Sequence, residues 1–140
     1  MSIGRRPTTS DTTSTSMVIS DGKANLNLVA GQAVSLLEVL SVQKVVLATA
    51  ANADVYLGFV KFPVAEGNNV VIMSGRGSKV AVQVEGGGSL TVNQPVYLAV
   101  TAGKVTQDIS TLDGYFMLKV GVAITTTEII LKNDYAPKLA

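Results

Sequence analysis

The chain contains no cysteine, no histidine and no tryptophan. Without cysteine there is no disulfide, no thiol nucleophile and no thiolate ligand for zinc. Without histidine, the side chain that most readily moves protons near neutral pH is missing. Charge is scarce too: Asp, Glu, Lys and Arg make up 15% of residues, against roughly a quarter in ordinary soluble domains. The net charge of +1 supplies no field for steering nucleic acid, so no nucleic-acid partner is expected. No stretch of 18 uncharged apolar residues occurs, so no membrane-spanning helix is expected either. Residues 1–16 lack the apolar stretch of a secretory signal. Arg5-Arg6 is followed by Pro7 and Thr8, which argues against a twin-arginine export signal.

What remains is aliphatic and β-branched. Hydrophobic residues are 47% of the 140, but aromatics only 5%; there are 21 Val, and Ser and Thr together number 24. β-Branched side chains suit a pleated, half-buried surface, and 13 Gly supply turns. The length suits one domain with a real core. Abundant apolar surface with little charge points to a chain that hides surface in a homo-oligomer, with a trimer as the leading expectation.

Two zones divide the chain. Residues 1–17 form an N-terminal arm whose segment Pro7 to Ser16 is almost wholly small and polar. Such a segment buries too little apolar surface to offset its ordering entropy. Extended, it would reach about 55–60 Å. Residues 18–140 read as a single β domain. Met17-Val18-Ile19 is a short apolar run closed by an Asp21-Gly22 turn, and Asn25 to Val29 alternates with period 2, as a half-buried strand does. Ala33–Leu40 is open to two readings: Ser35, Glu38 and Ser41 recur every three residues as on a helix, but Val34 and Leu36 sit among strand signals, and strand is favoured. Strands are also expected at Lys44–Thr49, Val55–Phe62, Val70–Met73, Lys79–Glu85, Val96–Val100, Lys104–Gln107, Tyr115–Ile124 and Glu128–Lys132. Ala50–Asp54 reads as a loop. Gly58 and Gly121 interrupt their strands, which marks a bulge or a close backbone approach. The fold class is therefore all-β, a small barrel or sandwich of about ten short strands with an extended polar arm.

The strands suggest a duplication. Leu28–Leu36 aligns with Leu90–Leu98 at an offset of 62, Lys44-Val45 with Lys104-Val105 at 60, and Leu57–Val60 with Val120–Ala123 at 63. Two copies of one β unit would then pack pseudo-symmetrically; chance alignment of two aliphatic meanders is the alternative.

Little in the sequence carries chemistry. Half of the ten carboxylates adjoin Gly or Asn in expected turns, where Asp bonds its own backbone. Neither a paired-carboxylate hydrolase nor the Asp-rich spacing of a calcium loop emerges. Gly75-Arg76-Gly77-Ser78-Lys79 superficially resembles a phosphate loop. Its order is reversed, however, and a strand follows where a helix is required. No enzyme, cofactor or metal site is expected.

The order of motifs is similar to that of the capsid decoration, or cement, proteins of tailed bacteriophages. Four stretches carry the resemblance: Ala30-Gly31-Gln32-Ala33-Val34; Lys44 through the Ala-rich loop to Val55-Tyr56-Leu57-Gly58-Phe59-Val60; Asn93-Gln94-Pro95-Val96-Tyr97-Leu98 through Gly103-Lys104-Val105-Thr106; and Val120-Gly121-Val122-Ala123 with Glu128-Ile129-Ile130-Leu131. Gln94-Pro95 departs from the family's Gly-Asp. Pro95 has no N–H for a ladder, which puts it at an edge or a strand start. The resemblance implies a structural virion protein on the capsid exterior, partnered by the major capsid protein and by itself. Candidate capsid contacts are Arg5, Arg6, Pro7, Thr8 and Thr9 in the arm and Asn52 and Arg76 in loops. The alternative is a carbohydrate- or receptor-binding module of a phage fibre or surface lectin.

Overall fold

A computed structural model describes residues 16–39, 42–132 and 138–139. The expected arm lies outside them except at its end: the first strand, β1, spans Ser16–Ala24, so Ser16 and Met17 pair with Met73 and Ile72. The fold is all-β. The strands are β2 (Ala33–Val39), β3 (Val42–Leu47), β4 (Tyr56–Val60), β5 (Asn69–Met73), β6 (Lys79–Ala81), β7 (Pro95–Leu98), β8 (Val105–Thr106), β9 (Phe116–Met117), β10 (Lys119–Ala123), β11 (Glu128–Leu131) and β12 (Lys138–Leu139). Helical structure among the described residues is limited to short 3-10 turns at Ala50–Val55, Glu85–Gly87 and Ile109–Leu112.

The strands build two copies of one module. β1-β3-β2-β4-β5 closes into a barrel, and β6-β11-β10-β7-β8 repeats that order in an open sheet. The registers match strand for strand. In the first module Val34 faces Gly58 and Ser35 faces Tyr56; in the second Val96 faces Gly121 and Tyr97 faces Lys119, with the bulge in the same place. Both glycines sit where an adjoining strand presses on them. A Cβ on Gly58 would fall on the Met73 carbonyl oxygen, and one on Gly121 on that of Ile130. The parallel pair that closes the barrel, Ala24 with Val45, returns 60 residues later as the bridge Val84 with Val105. The loops correspond as well: Leu28 N–H donates to Val64 O and Leu90 N–H to Thr126 O, both at 2.9 Å. Gly31 (φ 90) and Asn93 (φ 71) hold the equivalent left-handed position. The aligned offsets in the sequence thus mark a structural duplication.

Alternation decides what each module buries. Val34, Val45, Val60, Val70 and Ile72 fill the barrel of the first. Phe59 and Met73, on its outer face, join Val96, Leu98, Val105, Ile129 and Leu131 of the second in one larger core. Backbone bonds seal the junction. Ala33 N–H donates to Gly103 O (3.0 Å), Gly103 N–H to Ala48 O (2.8 Å) and Ala50 N–H to Ala99 O (2.9 Å).

Some local expectations change. Asp21-Gly22 does not close a turn. It lies inside β1, where the register with β5 slips between Val18 and Lys23, so a bulge absorbs the extra residues. Asn25–Val29 forms no strand: Leu28 is buried and makes a lone bridge to Val64. Asn27 Oδ1 is taken by the Glu66 N–H. Ala50–Asp54 is a 3-10 turn rather than an open loop. Lys79–Glu85 forms a strand only as far as Ala81, with Val84 adding its lone bridge to Val105, although Val80 and Val82 are still buried as their alternation requires. Tyr115–Ile124 divides into β9 and β10. Pro95 opens β7, the strand start that its missing N–H demands.

Candidate functional site

Arg5, Arg6, Pro7, Thr8 and Thr9 lie outside the described residues. The two loop candidates fall in different settings. Arg76 is exposed at the turn between β5 and β6, where Gly77 takes φ 88 with open space around it. Asn52 faces the other way. Its Oδ1 accepts from Thr49 N–H (2.8 Å) and Ser35 Oγ (3.1 Å), and its Nδ2 donates to Leu47 O (3.4 Å). Thr49 Oγ1 in turn caps Ala51 N–H at 3.0 Å. Asn52 therefore locks the 3-10 turn to β2 and β3. Its loop offers outward Ala51 and Val55 instead.

Two open clefts lie side by side on the second module. The first, of about 350 Å³, is lined by Thr91, Gln94, Pro95, Tyr97, Gln107 and Ile109. The second, of about 410 Å³, is lined by Ile109, Ser110, Asp113 and Met117. Ile109 stands between them, 51% exposed. Its position is fixed from both sides. Asp108 Oδ1 caps the turn by accepting from Ser110 N–H (3.1 Å), and Leu112 anchors it, fully buried. Gln107 braces the opposite wall by exchanging two hydrogen bonds with the Thr91 backbone, at 2.7 and 2.9 Å. The floor is thus rigid, with Pro95 fixed at a strand start and a large aliphatic side chain held in solvent.

Few titratable side chains line these clefts among the described residues. The Gln107 amide already serves the fold, and among the described residues Asp113 is the one carboxylate lining either cleft. General acid–base work needs a positioned group with a tuned partner. Among the described residues no three His, Cys, Asp or Glu side chains gather as metal ligands do, and no helix is long and apolar enough to cross a membrane. Sequence reasoning missed the Ile109 surface. Its signal was a single large aliphatic side chain within the polar run Gln107-Asp108-Ile109-Ser110-Thr111.

The sequence matches no protein-family model and no curated protein. Its fold is shared with a solved structure described as the head fiber gp8.5 N base of bacteriophage phi29. The likeness covers 87% of this chain and 97% of that one, with a TM-score of 0.51 and 14% sequence identity. At that identity what the two have in common is the fold.

Proposed function

We propose that the chain is a structural virion protein that binds the outside of a phage capsid and cements neighbouring major capsid subunits, acting as a homo-oligomer. The observation that carries this reading is the shared fold with a phage head-fibre base along nearly the whole of both chains. The rest of the molecule is consistent with it. The open clefts of the second module offer surface for a partner, and a polar segment precedes the body in the sequence. In this reading the arm makes backbone bonds to a strand edge on the shell. Arg5 and Arg6 add charge-assisted bonds to acidic groups there, and the exposed Arg76 turn is a second contact.

The test is removal of residues 2–15, which stops short of the Ser16–Met73 pair. Added to decoration-free capsids, the truncated protein is expected to bind at reduced occupancy while its own thermal midpoint hardly moves. Full occupancy would put attachment in the β body, and unfolding would make the arm part of the core. A carbohydrate-binding role predicts specific signals on a glycan array, where the capsid reading predicts none.

A further inference from the structure

The duplication sets one surface in two environments. The registers equate Ala33 with Pro95, Ser35 with Tyr97 and Val46 with Thr106, and hence Leu47 with Gln107. The aligned sequences equate Val29 with Thr91 and Gln32 with Gln94. On the first module this surface is covered from within the chain. Gly103, in the turn between β7 and β8, accepts from Ala33 N–H and donates to Ala48 O. A Cβ on it would come 2.9 Å from Leu47 Cδ2 and 3.6 Å from Gln32 Cβ. On the second module the equivalent surface is the open cleft of about 350 Å³.

The side chains differ between the two copies. Where the covered copy has Ala33, Ser35 and Leu47, the open one has Pro95, Tyr97 and Gln107. The glutamines also change roles. In the first module, Val29 N–H donates to Gln32 Oε1 at 2.9 Å, which ties that amide to its own turn. In the second, the equivalent Thr91 N–H donates to Gln107 Oε1 at 2.7 Å. Gln107 does for its turn what Gln32 does for the first, and Gln94 is released. The Gln94 side-chain amide, like the hydroxyls of Thr91 and Tyr97, has no hydrogen-bond partner among the described residues. All three side chains line the cleft.

We infer that this cleft binds an uncharged saccharide unit. None of the six residues lining it carries a charge, so a charged ligand would leave water without a partner there. A sugar hydroxyl both donates and accepts, and the Gln94 amide and the two protein hydroxyls do the same. A sugar ring also has C–H faces, for which Tyr97 and Pro95 supply an apolar platform. The volume lies within the roughly 300–1,000 Å³ of small-molecule sites. Gln107, bonded to the Thr91 backbone through both ends of its amide, fixes one wall before any ligand arrives, which lowers the ordering cost of binding.

The inference adds a second activity and does not rest on capsid attachment, for which no glycan signal is expected. An array of immobilised neutral, sialylated and uronic-acid oligosaccharides, probed with the full chain, tests it. Binding to neutral glycans is expected. Gln94→Ala should weaken it about 3–10-fold, the contribution of one neutral hydrogen bond, and Tyr97→Ala should weaken it further. Gln94 is exposed, and circular dichroism checks that both variants fold. Arg76→Ala, outside the cleft, should leave the glycan signal unchanged, while Gln94→Ala should decorate capsids as the parent does. No glycan signal, or signals confined to charged glycans, overturns the inference and leaves the capsid reading standing. Signals that survive both cleft substitutions place the sugar elsewhere and overturn the assignment of the cleft. A change of oligomeric state on Gln94→Ala in light scattering, without glycan binding by the parent, gives the cleft to a second copy of the chain and overturns the inference as well.

Discussion

Gly58 and Gly121 show how much a missing side chain decides. Each lies at a bulge where a Cβ would strike a carbonyl oxygen of the adjoining strand. Gly121→Ala should therefore lower stability by about 1–3 kcal/mol, as overpacking does. Gly88→Ala, in open space, should stay within about 0.5 kcal/mol of the parent. Urea denaturation compares the two. Both bulge glycines were legible in the sequence, because a Gly inside a run of apolar strand residues weakens the strand unless a bulge or a close approach requires it. The role of Asn52 was not, since it depends on Ser35 and Leu47, which only the fold brings near. Asn52→Ala removes the lock and should cost about 1–2 kcal/mol, read from the same denaturation curves. Ser78 presents the opposite case. Its hydroxyl is buried without a hydrogen-bond partner, so Ser78→Ala should leave the thermal midpoint unchanged or raise it.

At the scale of elements, alternation read true where both neighbours exist to complete a ladder. β2, β3, β4 and β5 stand close to their expected limits because each pairs on two sides in the closed barrel. Asn25–Val29 alternates just as well, yet its contacts with neighbouring backbone are scattered: Asn25 N–H donates to Val45 O, and Leu28 makes a lone bridge to Val64. Its pattern records burial of Leu28 without specifying a strand. The Asp21-Gly22 signal failed for a related reason: β1 pairs with β5 on either side of it, and a bulge costs less than breaking that ladder. Hydrogen exchange should follow these differences. Amides of β2, β4 and β10, flanked on both sides, should exchange last. Those of β9 and β12, a pair joined to no other strand among the described residues, should exchange first; equal rates across both groups would refute the ranking.

At the scale of the molecule, the repeat was visible as three offsets, but what it builds was not. The offsets say that two modules exist; they do not say that the outer face of one completes the core of the other. Phe59 and Met73 sit among residues of the second module, so that module lacks part of its interior on its own. Unfolding of the whole chain should accordingly be one cooperative transition, with calorimetric and van't Hoff enthalpies equal. A fragment of residues 78–140 should be unfolded by circular dichroism. Two resolved transitions, or a folded fragment, would mean that the modules are independent. The candidate site was only partly legible for the same reason. Arg76 was read from a turn that local residues specify, whereas the Ile109 cleft is lined by residues from three separate stretches, 91–97, 107 and 109, that only the fold brings together.

The central claim is that this body and arm hold a shell together, and the most direct measurement is the shell's own resistance to disruption. Decoration-free capsids would be saturated with the purified chain, and the temperature at which they break open compared with that of bare shells. The account predicts stoichiometric binding and a higher disruption temperature, lost when residues 2–15 are removed. Bound protein that leaves the disruption temperature where it was, or no binding at all, would contradict it.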